Sequence, residues 1–215
     1  MDYSNILEGF KKFAEEYRKI TERFNYNFYE GLSILADNGW YIDEQMPMSI
    51  ALEGMKHVSN NEIKKLDKLF CDYYTESAKE ILKYQVFRYT DREKILTEAY
   101  KAHDKRMYFA SIALFLSQAD GICKGELFKT RKDKAAIKAY MKELYPSKVP
   151  NFLQVITTES AIDVYFPQRD KYKSELNRHG VFHGYDVEYG NKTNSLKAMS
   201  LLAFITGFFG RYVNK

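Results

Sequence analysis

Hydrophobic residues recur at steps of three or four along the first part of the chain, from Ile6 to Leu35. This spacing places them on one face of an α-helix, whereas a half-buried strand would show strict alternation. We expect this long N-terminal helix to end at 37–39, where Gly39 can adopt the left-handed conformation that closes a helix. The apolar positions of the pattern are Ile6, Phe10, Phe13, Tyr17, Ile20, Phe24, Phe28, Leu32 and Leu35.

Helical spacing continues through the middle of the sequence. Pro47 suits the first turn of a second helix, and a similar apolar pattern runs from Ile63 to Ile81. The segment 107–123 is almost wholly apolar and predicts a central buried helix, either separate from the helix before it or continuous with it. Residues 152–165 have some strand propensity, but no partner strand is evident.

Glycine residues cluster near the C-terminal end and divide that region into short elements. We expect a helix at the start of 174–183, a glycine-rich loop over 184–191, and a last helix that reaches about Val213. Thr193 and Asn194 are the two candidates for the residue that caps this last helix.

The whole pattern predicts an all-α fold, a helical bundle that carries a long N-terminal helix. The length of 215 residues suits one domain. With 45% hydrophobic residues the chain can build a core without a disulfide or a structural metal. We therefore predict a single helical domain over 1–215, in which an N-terminal portion, 1–58, packs on a bundle formed by 59–215.

Cysteine usage and hydropathy favour a cytoplasmic protein that does not enter a membrane. Cys71 and Cys123 stand far apart and form no zinc-binding pattern, so two reduced thiols are expected. The polar N-terminus predicts no signal peptide. The longest apolar run, 198–210, is shorter than the roughly 20 residues that a membrane span needs, so it predicts a buried helix.

Positive charge is concentrated in the segment 124–148, which has eight basic and three acidic residues and includes a predicted short helix over 132–144. The whole chain has a net charge of only +4. A solvated helix face is the ordinary interpretation of such a segment, and a surface that contacts phosphates is the other. Under the second interpretation the RNA-binding residues are Lys129, Arg131, Lys132, Lys134 and Lys138.

The densest cluster of titratable residues is 177–184, which contains two of the four histidines. The other two, His57 and His103, are predicted to have surface or packing roles. In one interpretation His179 and His183 are metal ligands together with acids of the loop that follows, Asp186 and Glu188. Zinc needs at least three protein ligands, and no acid stands at a spacing typical of a metal motif.

In the other interpretation Arg178 and His183 form a metal-free pair that cleaves phosphodiesters. A histidine can move a proton to or from a ribose hydroxyl near neutral pH. An arginine stays charged and binds phosphate oxygens in a fork. The 2′-hydroxyl would be the nucleophile, so RNA is the natural substrate.

The segment from Asn177 to Gly184 resembles the C-terminal signature of HEPN proteins, in which four to six residues separate an arginine from a histidine. Here four residues separate Arg178 from His183. The segments 189–190 and 194–202 extend the resemblance. The apolar helix 115–122, with Asp120 before a small residue, is similar to an upstream helix of the family.

The resemblance implies a HEPN-like helical bundle and a metal-independent endoribonuclease that requires no cofactor. Many such enzymes act in toxin, abortive-infection or defence systems, with the active site between the two chains of a homodimer. Carried over, His183 is the acid/base and Arg178 stabilises the transition state. Asn177 and His179 position the phosphate or hold the pair, and Asp120 orients it or caps a turn.

Some members of the family have lost catalysis, so a non-catalytic module that binds a nucleotide or a protein is the alternative function. The partners expected from the resemblance are RNA, a second copy of the chain, and an antitoxin or defence-system protein. The apolar excess of the last helix is a further reason to expect a homodimer, because one core stripe needs less apolar surface.

Overall fold

The computed structural model describes residue 28 and residues 30–125, 127–128, 139, 142–143, 155–156, 160–172 and 174–209. The described chain is helical and contains no strand within these ranges, so the predicted all-α fold is confirmed. The helices are α1 (30–37), α2 (Met48–Ser59), α3 (Ile63–Arg88), α4 (Glu93–Asp104), α5 (Tyr108–Ile122), α6 (Arg178–Phe182) and α7 (Lys192–Phe209), with 3₁₀ turns at Thr90–Arg92 and Phe166–Lys171.

Helix α1 ends as its sequence predicts. Gly39 has a φ of +81°, and its N–H donates to Ala36 while the N–H of Trp40 donates to Leu35. These two bonds satisfy carbonyl groups of the last turn that would otherwise have no partner. The turn delivers Trp40 into the core, where it is completely buried.

Helices α4 and α5 are separate, which decides between the two alternatives left open by the sequence. Arg106 adopts a left-handed φ of +59° and stands where a glycine would be usual. Its N–H donates to His103, and the N–H of Met107 donates to Ala102. This pair of bonds terminates α4 and lets α5 start in a new direction.

The core is built chiefly between α5 and α7, with α3 and α4 packed around them. Every residue of α7 from Asn194 to Gly207 is buried within the single chain. The buried helix predicted for 198–210 is therefore confirmed as far as Gly207, and the side chains beyond it lie outside the described part of the chain. Between Asn194 and Gly207 the apolar excess is used inside the protomer, so this part of the helix gives no reason to expect a homodimer.

The start of α7 corrects a predicted cap. Asn191 is the capping residue, because its Oδ1 accepts the N–H of Asn194 at 2.8 Å. The side chain of Asn194 is used elsewhere: its Nδ2 donates to the carbonyl of Tyr189 at 3.1 Å. Three candidate caps stand within four positions, and only the course of the preceding loop selects among them.

Two buried polar groups tie α7 to its neighbours. The imidazole of His103 lies 2.8 Å from the Ser195 hydroxyl, and burial lowers its pKa; the packing role predicted for this histidine is confirmed. Lys197 is also buried and lies 3.5 Å from Asp67. Burial lowers the pKa of the lysine, and the nearby Asp67 raises it.

Several predictions lie partly or wholly outside the described residues. These are most of the long N-terminal helix, the basic helix 132–144, and the five candidate RNA-binding residues Lys129, Arg131, Lys132, Lys134 and Lys138. The division into 1–58 and 59–215 likewise stays a prediction. In the described part of the chain no helix is long and apolar enough to span a membrane, and neither Cys71 nor Cys123 forms a disulfide bond.

Candidate active site on helix α6

Asn177 is the residue that fixes α6 in place. It is completely buried, and its Oδ1 accepts the N–H of Gly180 at 3.0 Å, which caps the helix. Its Nδ2 donates to the carbonyl groups of Ala161 and Val164, at 3.1 and 2.8 Å. The amide is thus used within the protein, which fits the predicted role of holding the pair and leaves little capacity for phosphate.

Arg178 is the first residue of α6. Its backbone N–H donates to Ile162 at 2.8 Å, and its half-buried side chain donates from Nη2 to the carbonyl of Phe128 at 2.7 Å. The guanidinium also lies 4.9 Å from the centre of the Phe128 ring. A carbonyl and a ring face together fix the orientation of the guanidinium, since a cation is attracted to both.

His179 and His183 lie one helical turn apart, and their rings are stacked. The ring centres are 5.7 Å apart and the ring planes differ by 9°. His179 is buried and His183 is exposed, so the inner ring supports an outer ring that solvent reaches. Helix α6 ends at Phe182, His183 is its C-cap, and Gly184 follows with a φ of +69°.

The short length of α6 corrects the predicted helix at the start of 174–183. The residues from Ser174 to Asn177 precede the helix and are not helical, because Asn177 is extended and begins the helix as its cap. Helix α6 thus starts at Arg178, and the arginine and the histidine mark its two ends. The N-cap role of Asn177 was not predicted, although asparagine just before a helix is a recognised signal.

Side chains outside the predicted motif complete the surroundings of His183. Tyr185 lies 5.8 Å from His183 and 5.6 Å from Phe166, measured between ring centres. Phe166 packs closely on Gly180, where an added Cβ would lie 2.6 Å from its ring. The sequence predicted neither aromatic as a site residue. The 3₁₀ turn that carries Phe166 is separated from α6 along the chain, so only the fold brings this ring to Tyr185.

A cleft of about 340 Å³ opens beside this region. Four carboxylates line it, together with Arg169, which pairs with Asp186 at 3.5 Å. The carboxylates belong to Asp170, Glu175, Asp186 and Glu188. The cleft is therefore acidic, and phosphate groups are disfavoured in it.

The alternative in which His179 and His183 bind a metal with acids of the loop finds no supporting geometry. Among the residues that the structure describes, no group of three or more histidine, cysteine or acidic side chains could hold a metal ion. Asp186 is committed to Arg169 and to the backbone N–H of Glu188.

Asp120 lies near the end of α5, the helix against which α6 packs. It is half-buried, and its backbone carbonyl accepts the N–H of Gly125 at 2.9 Å. The predicted role of its side chain, to orient Arg178 or His183 or to cap a turn, stays a prediction.

An all-helical fold does not determine a function, so the chemistry of the site depends on its own residues. Arg178, His179 and His183 lie on one short helix whose start is fixed by Asn177. Comparison with known proteins adds no relative whose roles could be carried over: no family model matches the chain, and no curated protein or solved structure matches it.

Proposed function

We propose that the protein is a metal-independent endoribonuclease of the HEPN type, with His183 as the acid/base and Arg178 as the group that stabilises the transition state. The observation that carries the proposal is the exposed imidazole of His183, stacked on the buried His179 at the end of a helix that begins with Arg178. A supported but accessible imidazole is suited to move protons at a substrate.

The reaction that follows is an intramolecular transesterification at phosphorus. Neutral His183 takes the proton of a ribose 2′-hydroxyl, whose oxygen then forms a bond to the adjacent phosphorus. The bond from phosphorus to the 5′-oxygen breaks, and His183 returns the proton to that oxygen. The products are a 2′,3′-cyclic phosphate and a 5′-hydroxyl. Arg178 stabilises the extra negative charge on the phosphate oxygens in the transition state.

The contacts of Arg178 bear on this role in two ways. The bond to the carbonyl of Phe128 and the contact with its ring hold the guanidinium in one orientation, as electrostatic catalysis requires. The same contacts suit an arginine that only packs, which favours a second candidate function: a non-catalytic module that binds a nucleotide or a protein partner.

The partners belong to the same proposal. RNA is the substrate, and two chains form a homodimer in the cytoplasm under the control of an antitoxin or another defence-system protein. Because α7 is buried within one chain from Asn194 to Gly207, that part of the helix is not available to the dimer interface. Sedimentation at micromolar concentration tests this part, and a strictly monomeric protein would rule out a site shared between two chains.

The central experiment is cleavage of total RNA by the purified protein in EDTA. We expect the wild type to cleave and His183→Ala to lose cleavage, since the proton acceptor is gone. His57→Ala is the matched control, because His57 lies on α2 and binds Glu62. Arg178→Lys keeps the charge but removes the fork, and we expect it to cleave more slowly.

Each outcome separates the two functions. Cleavage that survives EDTA and disappears only in folded His183→Ala supports the ribonuclease. Equal cleavage by wild type and His183→Ala removes this histidine from the mechanism. Absence of cleavage by the wild type, with retained binding of RNA or of a nucleotide, favours the non-catalytic module.

A further inference from the structure

Planar side chains form a continuous strip that starts at His183. Tyr185 is 63% exposed and lies next to His183, at an angle of 36° between their rings. The ring of Tyr185 also lies next to that of Phe166, at an angle of 35°. The guanidinium of Arg169 lies 4.3 Å from the centre of the Phe166 ring. We call these four side chains the aromatic strip.

We propose that the aromatic strip is a platform on which an unpaired base of the substrate stacks, with Tyr185 as the residue that positions this base beside His183. The inference rests on the proposed function and identifies the side chains of this chain that would receive an unpaired base. Bases in a single strand can leave their neighbours and stack on aromatic rings, whereas bases of a duplex are already stacked on each other.

The composition of the strip favours a nucleobase over an apolar protein surface. Its members are an imidazole, a phenol, a phenyl ring and a guanidinium, all planar, and the guanidinium has five N–H donors. Every base presents a π-face to such groups regardless of its sequence.

The acidic cleft supports the same assignment. Asp186 follows Tyr185 directly and lines the cleft with three other carboxylates. A phosphate would be repelled from this side, but an uncharged base would not.

The backbone also holds Tyr185 in place before any ligand arrives. The N–H groups of Tyr185 and Asp186 both donate to the carbonyl of Gly180, at 3.0 and 3.1 Å. Gly184 has the left-handed conformation that turns the chain back towards Gly180 and allows these two bonds to form. A preorganised ring loses little conformational entropy on binding.

Binding of a short 2′-O-methyl oligonucleotide tests the platform, because this probe lacks the internal nucleophile and cannot be cleaved by the proposed route. Fluorescence anisotropy compares the unpaired probe with the same probe annealed to its complement. We expect Tyr185→Ala to weaken binding of the unpaired probe by roughly five- to a hundredfold, the effect of one lost stacking partner. Tyr185→Phe, which keeps the ring, should bind nearly as the wild type does.

Phe87→Ala is the control, because Phe87 is an 83% exposed aromatic on α3. We expect it to leave binding unchanged. The platform is overturned if Tyr185→Ala binds as the wild type does, if Phe87→Ala weakens binding equally, or if the duplex probe shows the same dependence on Tyr185. A change of oligomeric state in Tyr185→Ala would also overturn it, because the strip would then be a protein interface.

The test separates this inference from the proposed catalysis. Tyr185-dependent binding by a wild type that does not cleave RNA would retain the platform and reject the ribonuclease. RNA cleavage that depends on His183, with binding that is indifferent to Tyr185, would retain the ribonuclease and reject the platform.

Discussion

At the scale of single residues, the candidate site depends on a side chain that does no chemistry. Asn177 makes three hydrogen bonds from one buried amide, two as donor and one as acceptor. They link the start of α6 to the turn at 161–164. The position of Arg178 and the direction of α6 follow from these bonds, since a helix of five residues has little stability of its own.

Asn177→Ala is expected to lower the free energy of unfolding by about 2–4 kcal/mol, because it removes a helix cap and leaves buried backbone groups without partners. Urea unfolding followed by circular dichroism measures the change. Asn60→Ala, at the exposed end of α2, is the matched control and should cost less than about 0.5 kcal/mol. Equal losses in the two variants would contradict the assigned role of Asn177.

At the scale of elements, one turn decides what the end of α6 presents to solvent. Helix α6 ends at Phe182 with His183 as its C-cap, and Gly184 turns the chain so that the N–H of Tyr185 donates to the carbonyl of Gly180 in the helix. A left-handed φ costs roughly 1–2 kcal/mol for a residue with a Cβ. Glycine therefore suits this position because of the backbone, since an added Cβ at Gly184 would meet no atom within 4 Å.

Gly184→Ala and Gly125→Ala form a matched pair, because both glycines have a left-handed φ and open space around an added Cβ. We expect each to lose about 1 kcal/mol of stability. Only Gly184→Ala should also slow RNA cleavage, by roughly tenfold, since it displaces the neighbours of His183. Thermal unfolding and an RNA cleavage assay measure the two effects, and similar cleavage by both variants would contradict the role of the turn.

At the scale of the whole molecule, polar groups in the core connect helices that are far apart in sequence. The hydroxyl of Ser195 on α7 lies 2.8 Å from His103 on α4 and 2.7 Å from Ser111 on α5. Burial of this imidazole opposes its charged form and lowers its pKa. The unfolded chain therefore binds a proton at a higher pH than the folded protein does.

Stability should consequently fall as the pH is lowered through the ordinary histidine range near 6.5, and it should stop falling for this reason below the lowered pKa of the folded state. We expect His103→Gln to be less sensitive to pH than the wild type between about pH 7.5 and pH 5, because the variant has no imidazole to protonate. Urea unfolding at a series of pH values measures this, and parallel profiles would contradict it.

The sequence by itself determined the helical class, the end of α1 at Gly39 and the buried last helix. These features are local: they depend on apolar spacing and on one glycine, and both are visible along the chain. The spacing of Arg178 and His183 was visible in the same way.

Only the tertiary structure decided how the site is held and what surrounds it. Asn177 became an anchor because the turn at 161–164 supplies two carbonyl groups to it. Phe166 and Tyr185 meet beside His183 because Gly180 lets the 3₁₀ turn approach α6 closely. Such contacts join segments that are distant in sequence, and the spacing of hydrophobic residues along the chain does not predict them.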